Sequence, residues 1–232
     1  MKHWILALVV LLVSFFATPA KAEIINWRLE FTHTEPRAIH VKFGDNRVVY
    51  HYVLYTVENK NEIDVDVDLL FFGATDSGKD FTDVLDPVAE RAILIREARL
   101  DLADSVDEGI AQLKAAKRFL NRTEMLEEKM PAGAKWEGVA IFTEIDPNMD
   151  RMILQVSGLA SYVRQVKGQI STVIEVYRAY YERKGDEFNR DNDPFEHIYY
   201  MDKWVEVKEF GQLREDKDGN PETWVQRKLQ RR

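Results

Sequence analysis

Apolar side chains recurring at every second residue are the feature that most narrows what this chain can become. Over residues 24–32, Ile25, Trp27, Leu29 and Phe31 fall on one side of an extended backbone, and Asn26, Arg28, Glu30 and Thr32 on the other. Successive side chains of a strand point to opposite faces, so this period marks a half-buried β-strand. Ile39, Val41 and Phe43 repeat it with His40 and Lys42 outward, and Gly44-Asp45-Asn46 supplies the turn of a hairpin. Residues 48–57 are apolar or aromatic on both faces, including Tyr50, Tyr52 and Tyr55, as a central strand covered on two sides requires. Ile63, Val65, Val67, Leu69 and Phe71 form another inward row, with Asp64, Asp66 and Asp68 facing the opposite way.

Residues 92–96 read as a short strand, after which the period changes. Ser105-Val106-Asp107-Glu108 matches a capping box, in which a hydroxyl and a carboxylate satisfy free amides at a helix start. Val106, Ile110, Leu113, Phe119 and Leu120 keep roughly helical spacing, and Pro131 with Gly133 marks the stop, so a helical insertion near 105–129 is expected on the β core. Strand patterns resume at 139–143 and 152–156, joined by an Asp146-Pro147-Asn148 turn, and end with a pair at 173–183 and 198–207. Residues 211–232 are almost wholly charged and polar and read as a disordered tail. About nine strands and one inserted α-helix predict a mostly β, antiparallel sandwich over residues 23–210.

The first 22 residues predict a different fate. Lys2 and His3 precede an apolar run from Trp4 to Phe16 broken only by Ser14, and Ala20-Lys21-Ala22 places small side chains where a signal peptidase cuts. A span would need roughly 20 apolar residues, and Pro19 and Lys21 interrupt this run well before that. A signal peptide over 1–22 and a mature start at Glu23 follow, with a periplasmic or secreted product and no membrane span after signal removal. The chain has no cysteine, which excludes disulfides, thiolate metal sites and a cysteine nucleophile. Its formal charge of -8 argues against nucleic acid as a partner.

Certain residues carry a resemblance. The run from Tyr50 to Asn59 ends in Tyr55-Thr56-Val57-Glu58-Asn59, a Y-x-V-x-N pattern; Met130-Pro131-Ala132-Gly133 then leads to Gly138-Val139-Ala140-Ile141-Phe142, and Gln155-Val156-Ser157-Gly158-Leu159 follows. This order resembles immunoglobulin-like β-sandwich modules of exported bacterial proteins, several of them secreted families of unknown function. The resemblance covers residues 36–208 and implies a sandwich rather than a reaction. The insertion near 105–129 and the long final strand pair depart from the compact module, and the resemblance implies no catalytic residues.

Two constellations are candidates for binding. Asp64, Asp66 and Asp68 place carboxylates roughly 7 Å apart along one strand face, a row that calcium would neutralise given further oxygen ligands from loops. Solvated acidic faces that discourage edge pairing are the competing use. Tyr177, Tyr181, Tyr199 and Trp204 concentrate aromatic area in the last two strands, suited to a sugar ring or a protein partner, with core packing as the alternative. A hairpin centred near Asp45 would let His40 and His51 meet, but two imidazoles without a third ligand do not make a zinc site. No nucleophile elbow, phosphate loop, dinucleotide fingerprint or metalloprotease motif occurs in the sequence. The reading that follows is a non-catalytic module recognising a protein or cell-envelope component, with no cofactor assigned. A carboxylate-dependent hydrolase, and a calcium-dependent or carbohydrate-binding module, are the alternatives.

Overall fold

The computed structural model describes residues 27–100, 105–143, 145, 149–166, 169–183, 195–198 and 201–207. Residues 1–22, read above as a signal peptide, residues 146–148, read as a turn, Tyr199 and residues 211–232, read as a tail, lie outside them. The chain is mostly antiparallel β, and every strand ladder among the described residues is antiparallel. Twelve strands occur in this part: β1 (Trp27–Arg28), β2 (Glu30–His33), β3 (Arg37–Phe43), β4 (Asn46–Glu58), β5 (Leu70–Thr75), β6 (Asp80–Thr82), β7 (Lys135–Phe142), β8 (Arg151–Ser157), β9 (Ala160–Val166), β10 (Gln169–Arg183), β11 (Phe195–His197) and β12 (Lys203–Val207). Three helices accompany them: α1 (Pro87–Ala98), α2 (Val106–Ala115) and α3 (Arg122–Met125).

One sheet has the order β1-β9-β10-β8-β5-β6, with β11 and β12 also paired to β10; in the other, β4 is flanked by β2 and β3 and by β7. Two strands change course where the sequence allows it. The alternating N-terminal segment crosses between sheets: β1 pairs with β9, β2 pairs with β4, and between them the Leu29 amide donates to the Leu159 carbonyl at 2.8 Å. β8 and β9 follow one another along β10, which advances from Val173 to Tyr177 while its partner advances from Tyr162 back to Val156, two residues more. The surplus is a bulge at Gly158 and Leu159, with Gly158 at φ 82°.

The main core holds side chains of both sheets: Val53, Tyr55 and Val57 of β4 and Ala140 and Phe142 of β7 join Phe71 of β5, Leu154 and Val156 of β8, and Ala179 and Tyr181 of β10. The opposite face of β4 presents Tyr50 and Tyr52, which with Val41, Val139 and Ile141 are covered by Ala89 and Ile93 of α1. The two-sided burial expected of this strand is therefore present.

Four local expectations need correction. Residues 92–96 are not a strand but the centre of α1. The apolar Ile93-Leu94-Ile95 run masks a start signal, since the Asp86 carboxylate accepts from the amides of Val88 and Ala89 and Pro87 occupies the first turn. The single insertion near 105–129 is divided: α2 begins at Ser105, whose hydroxyl accepts from the Glu108 amide at 3.3 Å, and positive φ at Lys117 and Phe119 separates it from α3. The reciprocal capping box forms at Asn121 and Glu124 instead. Residues 63–69 keep the expected alternation, with Val65, Val67 and Leu69 buried, but Val65 makes only one bridge to Met130 and the ladder starts at Leu70. Finally, β7 and β8 do not pair. β7 lies against β4, and β8 between β5 and β10.

Candidate functional site

Alternation along β10 sets Tyr177, Ala179 and Tyr181 toward the main core and Arg178 and Tyr180 away from it. β12 lies on one edge of β10 with Trp204 opposite Tyr177, and their rings meet edge to face at 5.6 Å between centroids. Across from them runs the crossing segment of β1 and β2. Phe31 approaches Tyr177 at 5.4 Å and His33 at 5.5 Å, while the Arg28 guanidinium lies 4.3 Å from the Trp204 ring centre and forms an ion pair with Glu175. The patch thus gathers residues far apart in sequence, because β1 and β2 pass where the two sheets meet.

Hydrogen bonds fix the tyrosines. The Tyr177 hydroxyl donates to Asp202 Oδ2 at 2.5 Å, and the other oxygen of Asp202 accepts from the Tyr180 amide at 3.3 Å. The Tyr181 hydroxyl is 2.8 Å from His33 Nδ1, and Tyr181 is fully buried. Tyr177, Trp204, Phe31 and His33 are half-buried, so each gives one part to the core and keeps another at the surface. Aromatic rings held this way offer apolar area at little entropic cost on binding, and the guanidinium over Trp204 orients that ring further. Of the four aromatic residues predicted from sequence, Tyr177 and Trp204 are together, Tyr181 lies beneath them, and Tyr199 falls outside the described residues. Sequence reasoning missed Arg28, Phe31, His33 and Asp202. Period two had marked Phe31 as inward, but nothing local marks which distant strand it meets.

Asp64, Asp66 and Asp68 remain exposed and face the segment after α2. Each has its own partner there: Asp64 Oδ1 accepts from the Ala132 amide at 3.0 Å, Asp66 pairs with Lys129 at 3.5 Å, and Asp68 pairs with Arg122 at 2.8 Å. The buried Asn59 supports this arrangement, donating to the carbonyls of Ile63, Met130 and Pro131. Among the described residues no group of three or more His, Asp or Glu side chains is placed to hold a metal ion.

Burial holds the Asp83 carboxyl above its ordinary range, partly offset by a hydrogen bond from the Phe71 amide at 3.3 Å. Asn121-Arg122-Thr123 matches the N-glycosylation pattern, but the Asn121 side chain is engaged within the fold. It caps α3 and its amide nitrogen donates to Glu90 at 3.0 Å. Among the described residues no helix is long and apolar enough to cross a membrane. No known protein family, curated protein or solved structure matches the chain.

Proposed function

We propose that this chain is an exported, non-catalytic β-rich module that recognises a protein or cell-envelope component through the half-buried aromatic patch around Tyr177 and Trp204. The observation that carries this reading is the shared fixation of that patch: Asp202 holds Tyr177, and Arg28, tied to Glu175, lies over Trp204. Rigid aromatic residues with one exposed part are what a recognition surface needs, since they bury large area without losing many rotamers. Export is supported by the charged, apolar and small-residue order of residues 1–22. An immunoglobulin-like sandwich is the finer fold reading, supported by a core that both antiparallel sheets share.

The test is retention of envelope components by the immobilised chain from Glu23 onward, compared with a Trp204→Ala variant shown by circular dichroism to be folded. Components retained by the first and lost by the second support the reading. If retention is unchanged in the variant, or if the chain hydrolyses envelope polymers, the reading fails. A parallel wash with chelator separates a calcium-dependent module from a calcium-independent one.

A further inference from the structure

The β3–β4 hairpin runs past the end of β7, which pairs with β4 only as far as His51. Register places Ala38 opposite His51, His40 opposite Val49 and Lys42 opposite Arg47. These residues all lie on the hairpin face that continues the core row of Val53, Tyr55 and Val57, because they share its parity. One face of this hairpin therefore carries His40, Lys42, Arg47 and His51, with His40 and His51 diagonal neighbours. Arg183 comes from the other sheet. Tyr177 lies beside Phe31 at the level of Val57, Tyr181 beside His33 at the level of Tyr55, and Arg183 continues the same row toward the His51 end.

Two observations point to a ligand for this face. First, the protein is acidic overall; Arg37, Lys114, Arg118 and Arg122 each meet a carboxylate, and basic side chains without one away from this hairpin, such as Lys79, Arg99 and Lys135, stand on separate elements rather than together on one face. His40, Lys42 and Arg47 have no such partner among the described residues, and all three are exposed. Second, His51 is 91% buried, since only 9% of its surface is exposed, and its Nδ1 has no hydrogen-bond partner. Leaving a buried polar atom unmatched costs about 1–3 kcal/mol, so a group that satisfies it is favoured. The charges acting on His51 from the elements around it are Arg183 of β10 and His40 of β3, both of one sign; Phe142 of β7, opposite it, is uncharged.

We propose that the hairpin face formed by His40 and His51 is a binding site for a phosphate-type oxyanion, with Lys42 and Arg47 extending it toward the hairpin turn. Several N–H donors from separate strands suit an acceptor with oxygens in several directions. The imidazole Nδ1–H of His51 donates at the inner end, and the exposed cations attract charge from outside. An anion there favours the imidazolium, so its binding is accompanied by proton uptake at His51 and strengthens as pH falls. This site lies further along β4 toward the hairpin turn, at the level of His51 and beyond, whereas the aromatic patch lies at the level of Tyr55 and Val57.

The experiment is calorimetric titration of the purified chain with inorganic phosphate and with tripolyphosphate at low ionic strength, alongside histidine ring resonances recorded by NMR. Saturable binding that shifts the His51 resonance is expected, with tripolyphosphate the tighter ligand. His51→Gln weakens both ligands about tenfold or more. The double variant Lys42→Ala, Arg47→Ala, which alters only exposed hairpin positions, weakens tripolyphosphate more than phosphate. Absence of a saturable His51 shift at tens of millimolar phosphate overturns the proposal, as does unchanged affinity in folded His51→Gln.

Discussion

Gly158 packs against the Asp68 carbonyl oxygen so closely that a Cβ at position 158 would stand 1.9 Å from it. This glycine has φ 82° and forms the bulge that lets β8 continue into β9 while Leu159 enters the core. An alanine there meets both penalties: a left-handed backbone with a side chain, and overlap with backbone that has no flexible end to give. Gly158→Ala is expected to destabilise the fold by at least about 2 kcal/mol, read as a lower denaturation midpoint with an unchanged slope. Gly44→Ala makes the useful comparison. Its φ is 61°, but open space surrounds the position, so only the backbone penalty applies and the loss is smaller.

Helix α1 is fastened to the second sheet by hydroxyls as well as by Ala89 and Ile93. Tyr52, wholly buried, donates to Glu97 Oε1 at 2.5 Å, and Glu97 is also paired with Arg37. Tyr50 donates to Asp86, the residue that caps the same helix. Removing the Tyr52 hydroxyl leaves Glu97 its arginine, so Tyr52→Phe is expected to cost about 1–2 kcal/mol in chemical denaturation. Tyr50 supplies a pH-dependent version of the same link. Its hydrogen bond to Asp86, with burial and the carboxylate charge, pushes its pKa from 10.0 up to about 12. The raised value favours the protonated phenol in the folded chain, so this contribution is complete below pH 10 and is lost as pH rises toward 12. Tyr50→Phe should therefore flatten the stability profile in that window.

What the sequence makes legible follows the range over which each signal acts. The hairpin of β3 and β4 is visible because its pattern and its turn lie within about twenty residues, and the two-sided burial of β4 because both of its faces are apolar. The alternation near Asp64, Asp66 and Asp68 predicts which side chains are buried, yet not that the segment mostly lacks a ladder, since burial and strand pairing are separate demands on the same residues. α1 was hidden because Ile93, Leu94 and Ile95 suit a strand equally well, and the Asp86-Pro87 start outweighs them. The aromatic patch is half legible. Tyr177 and Trp204 are prominent in composition, but their meeting with Arg28, Phe31 and His33 depends on a strand changing sheets at Leu29, a global event without a local marker.

Lys114 joins the three helices. Its ammonium pairs with Glu90 of α1 and Glu124 of α3 and donates to the Phe119 carbonyl at 2.6 Å, while its side chain is only 17% exposed. Replacing it with methionine keeps the aliphatic length but leaves two carboxylates facing each other with no cation between them. Lys114→Met is expected to cost about 2–4 kcal/mol, reduced from the fully buried case because Glu124 retains some solvent. Adding Glu90→Gln should recover part of the loss by removing one of the opposed charges. Denaturation of the single and double variants measures the coupling of Lys114 with Glu90, and additive losses would show that these two side chains do not interact.

Acid stability gives a direct measure of His51. Burial, then Arg183 and His40, lowers its pKa from 6.5 to about 4, so the folded chain holds it neutral where an unfolded chain would protonate it. Stability from this group is fully present above pH 6.5 and is lost as pH falls through the window to about 4, because the unfolded state there binds more protons. The shift corresponds to a loss of about 3 kcal/mol across that range. His51→Gln removes the titration, and its denaturation midpoint should fall less between pH 7 and pH 4 than that of the parent chain. Phosphate present during the same measurement tests the anion site by a second route: by stabilising the imidazolium it should reduce the parent's acid loss while leaving His51→Gln almost unchanged. Equal acid sensitivity of the two chains would mean that carboxylates elsewhere govern the transition and that His51 does not remain neutral in the fold.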